Sequence, residues 1–177
     1  PKPRIYLSKE ELLMARQMIG EVKEKTKKSK IVLIQPFGRG AEKKSESEVI
    51  DLTGRSIELK NLWSIIKKLS KQYGVLVMSE FGLEFKTHGG INQPVALPLQ
   101  THIRIWAALL KQVDHFVGCD SVGQHIAYAF DKTMTVLIGS TFPVNTSFPD
   151  KDNVDIIDLG KDSRIYSPIR ITQDEYS

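Results

Sequence analysis

Short apolar segments alternate along this chain with segments in which apolar residues recur at helical spacing, and this alternation limits the folds available to it. Strands that are apolar on both faces are typical of a parallel sheet covered by helices on each side. The pattern therefore predicts an α/β domain with a parallel sheet of about five or six strands and helices on both faces. The predicted strands are Ile31–Ile34, Val75–Met78, Phe116–Cys119 and Thr133–Ile138, with weaker patterns at Asn92–Leu97 and Val154–Leu159.

The segments between the strands predict helices and two loops. Ser8 and Glu11 have the spacing of a capping box, with Ser8 as the N-cap of the first helix. Further helices are predicted over Glu58–Tyr73, after Thr101 as an N-cap, and from Gln124 onward. The polar segment Ala41–Gly54 is predicted to be an exposed, mobile loop, and Gly139–Asn153 a proline-containing loop.

The composition is that of one globular domain. The chain has 177 residues, of which 41% are hydrophobic and 26% charged, and no apolar run is long enough to span a bilayer. We expect a lead-in helix and linker over 1–30, a core over 31–160 and a tail over 161–177. No signal peptide is predicted, so we expect a cytoplasmic protein, with peripheral attachment to the inner membrane face as an alternative. The single Cys119, in a predicted buried strand, fits an inert thiol.

Lysines are concentrated in one run, Lys23–Lys30, which holds much of the excess behind the net charge of +4. One interpretation is a solvated helix end, where lysines also suit the negative end of the helix dipole. The other is a contact with anionic lipid or nucleic acid. Because no aromatic residues lie between the lysines, we predict no nucleic-acid partner.

The turn after the strand Phe116–Cys119 is the strongest candidate for a binding site. Asp120, Ser121 and Gly123 end the strand and lead directly into a helix, so the first free N–H groups of that helix point beyond the strand's carboxyl end. These donors suit a phosphate or another anion. Two interpretations of His125 in the first turn remain open: a neutral ring that donates to the ligand, or a ring that ties the turn to a neighbouring loop.

The same turn carries a resemblance to a known family. The sequence Asp120–Ala127 is similar to the pattern Asp-(Ser/Thr)-Gly-Pro-any-His-(Leu/Ile)-Ala of glycosyltransferase family 9, the heptosyltransferase-like enzymes. Val122 and Gly123 replace the family's Gly-Pro. Downstream, Gly139–Pro143 resembles the family's Gly-any-Thr-any-Pro loop. The resemblance covers residues 5–160 and is to the C-terminal, donor-binding half of these enzymes.

This resemblance implies a Rossmann-like domain that forms one half of a two-domain GT-B fold. It implies a nucleotide diphosphate-sugar donor lying over the turn Ser121–His125, with Arg55 or Arg39 in place of a family lysine. Glu80 or Glu84 would accept hydrogen bonds from the ribose, and the segment Leu99–His102 would pack on the base. The residues expected to bind the donor are Asp120, Ser121, Val122, Gly123, His125, Arg55, Ser56, Arg39, Glu80, Thr101 and Thr141.

The expected activity is transfer of a sugar, with inversion, to a glycan or lipopolysaccharide-type glycolipid acceptor. The family's general base lies on the N-terminal half, which this chain does not contain, so that half is an expected partner and no catalytic residue is predicted here. We expect no cofactor and no metal, since His88, His102, His115 and His125 lack ligand spacing. The alternatives are a non-catalytic nucleotide-binding or assembly module and a nucleotide-sugar epimerase-like domain.

Overall fold

The computed structural model describes residues 2–83, 94–98 and 100–162. This part of the chain forms eight strands and five helices. In chain order these are α1 Lys9–Thr26, β1 Ile31–Gln35, β2 Ala41–Ser45, β3 Glu48–Asp51, α2 Leu59–Leu69, β4 Gly74–Val77, β5 Val95–Ala96, α3 Ile103–Gln112, β6 His115–Cys119, α4 Val122–Ala129, β7 Met134–Ile138, α5 Pro143–Thr146 and β8 Val154–Asp158.

Six strands form one parallel sheet in the order β5-β4-β1-β6-β7-β8. The chain starts in the middle at β1, winds outward through β4 to β5, crosses back to β6 and winds outward again to β8. This is the doubly wound arrangement, in which the direction of winding reverses between β1 and β6. It confirms the predicted fold class.

Alternate residues of each strand face opposite layers of helices, which explains the wholly apolar strands. Leu33 of β1 and Phe116 of β6 pack in the larger cluster, with apolar residues of α1, α3 and α4. Ile34 packs on the other face of the sheet, where Leu62 and Ile66 of α2 cover it. The sheet is thus the middle layer of a three-layer domain.

The predicted capping box at the start of α1 is confirmed. The Ser8 hydroxyl accepts a hydrogen bond from the Glu11 N–H at 3.1 Å, and the Ser8 N–H donates to Glu11 Oε2 at 2.7 Å. Arg104 of α3 also donates to Glu11 Oε2 at 2.9 Å and to the carbonyl of Tyr6 at 2.7 Å. One carboxylate therefore both caps α1 and joins it to α3.

The prediction of a loop over Ala41–Gly54 is wrong. Residues 41–51 form an antiparallel hairpin of β2 and β3, separate from the main sheet. Ala41 and Val49 pack on the apolar cluster beneath α2, whereas the charged residues between them point mostly to solvent. Because only one face of the hairpin contacts the domain, its composition is largely polar, and composition alone indicated a loop.

Smaller corrections concern where elements begin and end. The N-cap of α3 is His102, whose ring Nδ1 accepts from the Arg104 N–H at 3.2 Å. The predicted cap, Thr101, instead donates through its hydroxyl to the Pro98 carbonyl at 2.6 Å.

The helix predicted to Tyr73 ends at Leu69. The predicted loop over Gly139–Asn153 contains the short helix α5, which starts at a proline. The weak strand pattern at Asn92–Leu97 corresponds to β5, and Asn92 and Gln93 lie outside the described residues.

Cys119, at the end of β6, is fully buried, and burial raises the pKa of its thiol to about 12. The thiol is therefore protonated at neutral pH, as expected for an inert cysteine. In the ranges that the structure describes, no helix is both long enough and apolar enough to cross a membrane.

The packing of Phe116 makes Gly118 sensitive to added volume. A Cβ at Gly118 would lie 2.4 Å from Cζ of the buried Phe116 ring. We expect Gly118→Ala to lower the free energy of unfolding by roughly 1–3 kcal/mol, because the ring must leave its packed position. The control is Gly20→Ala in α1, where a Cβ meets no atom within 4 Å and should stabilise the helix by about 1 kcal/mol. Urea unfolding of both variants measures the difference; equal changes would contradict this account.

Candidate functional site

The reversal of winding brings the carboxyl ends of β1 and β6 side by side. In doubly wound sheets ligands bind beyond the strand ends at such a reversal, because the loops there diverge and leave a crevice. Here β1 ends at Gln35, and β6 ends at Cys119, directly before the turn into α4. The loops that follow β3 and β7 reach the same edge, where the Ser140 hydroxyl donates to the Thr53 carbonyl at 2.7 Å.

Asp120 joins three of these segments. Its side chain is buried, with only 6% of the residue exposed. Oδ1 accepts from Gln124 Nε2 of α4 at 2.8 Å, and Oδ2 accepts from the Thr141 hydroxyl of the β7–α5 loop at 2.8 Å. Arg55 Nε lies 3.8 Å from Oδ2. The carboxylate therefore holds α4, the loop after β7 and the hairpin exit together, and its oxygens face protein donors.

Gln35 bridges the two central strands at this point. Its Nε2 donates to the Ser121 hydroxyl at 3.1 Å and to the Phe37 carbonyl at 3.4 Å. Its Oε1 accepts from the Gly123 N–H at 2.8 Å. The amide oxygen of Gln35 thus already accepts from one of the α4 N–H groups that were expected to bind an anion. Because the Ser121 oxygen accepts from Gln35, the hydroxyl proton of Ser121 is left to donate elsewhere.

Gly123 is needed for this close approach. A Cβ on Gly123 would lie 2.3 Å from Gln35 Oε1 and 2.6 Å from Cζ of Phe116. No side chain fits between the first turn of α4 and these two residues. The glycine that replaces the family's proline therefore serves the packing of this turn against β1 and β6.

Arg55 is positioned by a network at the exit of the hairpin. Asp51 Oδ2 accepts hydrogen bonds from the Ser56 N–H and hydroxyl, and Oδ1 accepts from the Thr53 N–H at 2.8 Å. Burial opposes ionisation of Asp51, but the hydrogen bonds from Ser56 and Thr53 outweigh it and hold the pKa of this carboxyl below its ordinary value. Ser56 in turn accepts from the Gly38 N–H at 3.0 Å, which joins the hairpin exit to the loop after β1.

His125 and Val122 lie on the exposed side of the turn. The His125 ring packs edge-on against Phe148, with ring centroids 5.6 Å apart and planes at 84°. The ring thus contacts a neighbouring loop, as the interpretation of a structural His125 required. The contact is made by packing of the two rings. Within the described ranges its ring nitrogens form no hydrogen bond, so they remain able to bind a ligand.

Three predicted site residues are not joined to this cluster. Arg39 and Glu80 are exposed, and neither forms a hydrogen bond or ion pair with a described residue. Thr101 bonds only within its own loop, to Pro98. Glu84 and Leu99, also considered from the sequence, lie outside the described residues. Of the predicted residues, the structure therefore gathers Asp120, Ser121, Val122, Gly123, His125, Thr141, Arg55 and Ser56 at one edge.

No group of three or more histidine, cysteine or carboxylate side chains lies close enough to hold a metal ion within the described part of the chain. Asp150 and Asp152 have the spacing of the metal-binding Asp-any-Asp motif, but both are exposed in the turn before β8. Independence from metal remains a prediction about the activity.

The chemistry of this edge suits a partly exposed anion. Arg55 has 39% of its side chain exposed and so can present its guanidinium to a ligand while it stays near Asp120. The Ser121 hydroxyl and the His125 ring add further hydrogen-bond donors at the same turn. An arginine with such donors at the start of a helix is typical of phosphate recognition. The fold and this edge together define a doubly wound α/β domain with a candidate anion site at the reversal of its winding.

Comparison with known proteins agrees with this class. No protein-family model matches the chain, and no curated protein sequence matches it significantly. Among solved structures, the domain is similar to E. coli ADP-heptose lps heptosyltransferase II, with a TM-score of 0.57 and 15% identity over 89% of this chain. It is also similar to a glycosyl transferase family 9 protein from Veillonella parvula DSM 2008, with a TM-score of 0.63 and 10% identity over 88% of this chain.

These similarities confirm the predicted resemblance to glycosyltransferase family 9 at the level of the fold. The aligned region covers 46% of the E. coli enzyme and 42% of the Veillonella protein. This chain therefore spans less than half the length of the structures it matches. The similarity is one of fold: a Rossmann-like α/β domain that matches GT-B glycosyltransferase structures.

Three residues that build the site are not among the site residues predicted from the sequence. Gln35 lies just past the predicted strand Ile31–Ile34, and a polar residue that ends a wholly apolar strand at the reversal point was an available signal. Gln124 is completely buried and binds Asp120, yet its sequence position indicated only a helix start. Asp51 lay in the segment predicted to be a loop, so nothing marked it as the organiser of the Arg55 segment.

The burial of Asp120 makes its loss costly for stability. In Asp120→Ala the donors of Gln124 and Thr141 lose their acceptor, which we expect to lower the free energy of unfolding by about 1–3 kcal/mol for each buried group. Asp152→Ala, at an exposed position, is the control and should change stability by less than about 0.5 kcal/mol. Chemical denaturation measures both. If the two variants unfold at the same denaturant concentration, Asp120 does not hold these segments together.

Proposed function

We propose that this domain is the donor-binding half of an inverting glycosyltransferase of the heptosyltransferase type and binds a nucleoside diphosphate sugar. The observation that carries the proposal is the turn Asp120–His125 at the reversal of the sheet, with Arg55 beside it. The match of this turn to the family 9 pattern and the similarity of the fold to family 9 structures support it. A diphosphate at this turn lies where doubly wound domains bind nucleotides.

In this proposal Arg55 neutralises the diphosphate, and Ser121 and His125 donate hydrogen bonds to its oxygens. The Gly123 N–H does not take part, because Gln35 already accepts its proton. Asp120, Thr141 and Ser56 act indirectly: they hold the turn and Arg55 in place through the hydrogen bonds described above. Glu80 and Thr101 follow β4 and β5 at the same edge and are assigned by the resemblance to the ribose and base ends of the donor.

The contribution of this half to catalysis is stabilisation of the leaving group. As the bond between the sugar and the diphosphate breaks, negative charge develops on the diphosphate, and preorganised donors stabilise that charge. The acceptor hydroxyl must also lose a proton to a general base. We assign that base to a second, N-terminal domain of the GT-B pair, so this chain alone binds the donor without turnover.

The acceptor and setting follow the same reasoning. The E. coli neighbour is described as an ADP-heptose lps heptosyltransferase, which has a nucleotide sugar as donor. We propose a nucleotide sugar and a glycan or glycolipid acceptor for this protein as well, without cofactor or metal, in the cytoplasm.

One observation favours a second candidate, a non-catalytic nucleotide-binding or assembly module. Val122 replaces the glycine of the family pattern, so an exposed side chain lies at the point of the turn where a glycine lets the backbone approach a phosphate closely. A module of this kind would bind a nucleotide but would not support transfer when combined with an N-terminal half. Assay of the full two-domain protein separates it from the enzyme.

The role of Arg55 is tested against Arg39, the other arginine considered for the phosphate. We expect Arg55→Ala to weaken binding of nucleoside diphosphates by about 1.5–3 kcal/mol, the contribution of a hydrogen bond to a charged group. Arg39→Ala should have little effect, because Arg39 is exposed and has no recorded contact with the described site residues. Isothermal calorimetry with ADP, UDP and GDP, without metal, measures both. Binding lost in Arg39→Ala but kept in Arg55→Ala would reverse the assignment, and absence of binding to any diphosphate would end the proposal.

The two interpretations of His125 also make opposite predictions. If the ring binds the diphosphate, His125→Ala lowers affinity by about 1.5–3 kcal/mol and changes stability little, because the ring is exposed. The control is Phe148→Leu, which removes the ring partner of His125 but no donor. Calorimetry and thermal unfolding are measured on both variants. Loss of stability with unchanged affinity in His125→Ala would show that the residue only packs the turn against its neighbour.

A further inference from the structure

Lysines from two separate parts of the sequence meet at the amino edge of the sheet, opposite the site. The helices α1 and α2 run antiparallel to β1 and β4, so both helices end at the edge where these two neighbouring strands begin. Each helix end and the turn after it are rich in lysine. The amino-edge lysine cluster consists of Lys23, Lys25, Lys27, Lys28 and Lys30 from α1 and its turn, and Lys67, Lys68 and Lys71 from α2 and its turn.

Direct contacts join the two halves of this cluster. Lys28 Nζ donates to the carbonyl of Lys71 at 2.8 Å. The Gly74 N–H donates to the carbonyl of Lys30 at 2.9 Å, where β4 begins beside β1. The helices lie on opposite faces of the sheet. The cluster therefore extends across the full thickness of the domain at this edge.

The cluster is strongly positive, and its acidic neighbours are few: Glu21 and Glu24 in its segments, and Asp114, which accepts from the Ile31 N–H. Its segments, 21–30 and 67–73, hold eight lysines against Glu21 and Glu24, a net charge of +6, whereas the whole chain carries +4. Seven of the lysines are exposed and Lys28 is half-buried. In the described ranges none of the eight forms an ion pair, although six ion pairs occur elsewhere.

The helix dipoles account for only part of this charge. Lys23, Lys25, Lys67 and Lys68 lie in the last turns of α1 and α2, where a cation is favoured. The remaining lysines lie in the turns beyond. Eight like charges gathered at one edge repel each other, which destabilises the folded state. An anionic partner removes this repulsion.

We propose that the amino-edge lysine cluster docks this domain on an anionic phospholipid bilayer. Clusters of four to eight basic residues bind anionic membranes with roughly 1 kcal/mol of attraction per lysine near the surface. The cluster contains only lysine, whose point charge needs no fixed geometry and suits a fluid array of headgroups. Tyr73, half-buried, is the single aromatic residue in the two segments, so the stacking platform of a nucleic-acid groove is absent from them.

This surface is independent of the proposed function, because it lies at the other end of the strands. The five residues of β1 place the two edges about 16 Å apart. Docking through the lysines leaves the carboxyl edge, with Arg55 and the turn Ser121–His125, facing away from the bilayer. A soluble donor therefore reaches the candidate site without competition from lipid headgroups.

The test is co-sedimentation of the full chain with vesicles of phosphatidylcholine, with and without phosphatidylglycerol. We expect binding only when phosphatidylglycerol is present, and its loss as salt is raised. The triple variant Lys25→Gln, Lys68→Gln and Lys71→Gln should bind about 100-fold more weakly, because each lysine contributes about a factor of five to the affinity. The control triple Lys9→Gln, Lys60→Gln and Lys161→Gln removes the same charge from exposed lysines at the other edge and should bind like the wild type.

Several results would overturn the proposal. These are absence of wild-type binding to phosphatidylglycerol vesicles, binding that is insensitive to salt, and equal losses in the two triple variants. Fluorescence anisotropy with a duplex oligonucleotide provides the remaining arm. The surface would be assigned to nucleic acid if the protein bound the oligonucleotide in preference to the vesicles and only the cluster variant lost that binding. Thermal unfolding of each variant confirms that it is folded before its binding is compared.

Discussion

The pairing of β1 with β6 is the constraint on which the rest of this domain depends. These strands are far apart in the sequence, and between them the chain must build the hairpin, α2, β4, β5 and α3 before it returns to the centre. Because the winding reverses at this pair, the loops on its two sides diverge. The side chain of Gln35 closes part of the resulting gap by bonding both Ser121 and Gly123. The layers of helices and the candidate site both follow from this one junction.

The candidate site shows how a polar edge can serve both folding and binding. Asp120 and Gln35 accept from donors around them, so hydrogen bonds within the protein hold the turn. The groups left over are Arg55, the Ser121 hydroxyl and the His125 ring, at the solvent-exposed rim. An anion bound here would meet donors already held in place and would lose little affinity to their ordering. The same internal bonds reduce the number of backbone donors, which distinguishes this turn from a phosphate loop that uses its N–H groups directly.

The two edges of the sheet carry different chemistry for a common reason. Parallel strands with antiparallel helices place every helix start at one edge and every helix end at the other. Hydroxyls, amides and Arg55 lie beside the start of α4 at the carboxyl edge, whereas lysines gather beyond the ends of α1 and α2 at the amino edge. Helix dipoles favour anions at the first edge and cations at the second. This polarity separates the candidate site from the amino-edge lysine cluster.

The sequence by itself determined the fold class, the strands of the main sheet, the capping box of α1 and the turn Asp120–His125. These depend on local patterns: apolar runs, helical spacing and residues that end a strand or cap a helix. The tertiary structure alone decided that residues 41–51 form a hairpin, that Gln35 and Asp51 belong to the site, and that Lys28 meets Lys71. Each of these depends on a partner distant in the sequence, and a polar side chain carries no local sign of which partner will satisfy its hydrogen bonds. Local periodicity therefore predicted the elements, and only the packing of those elements selected the polar contacts that make the site.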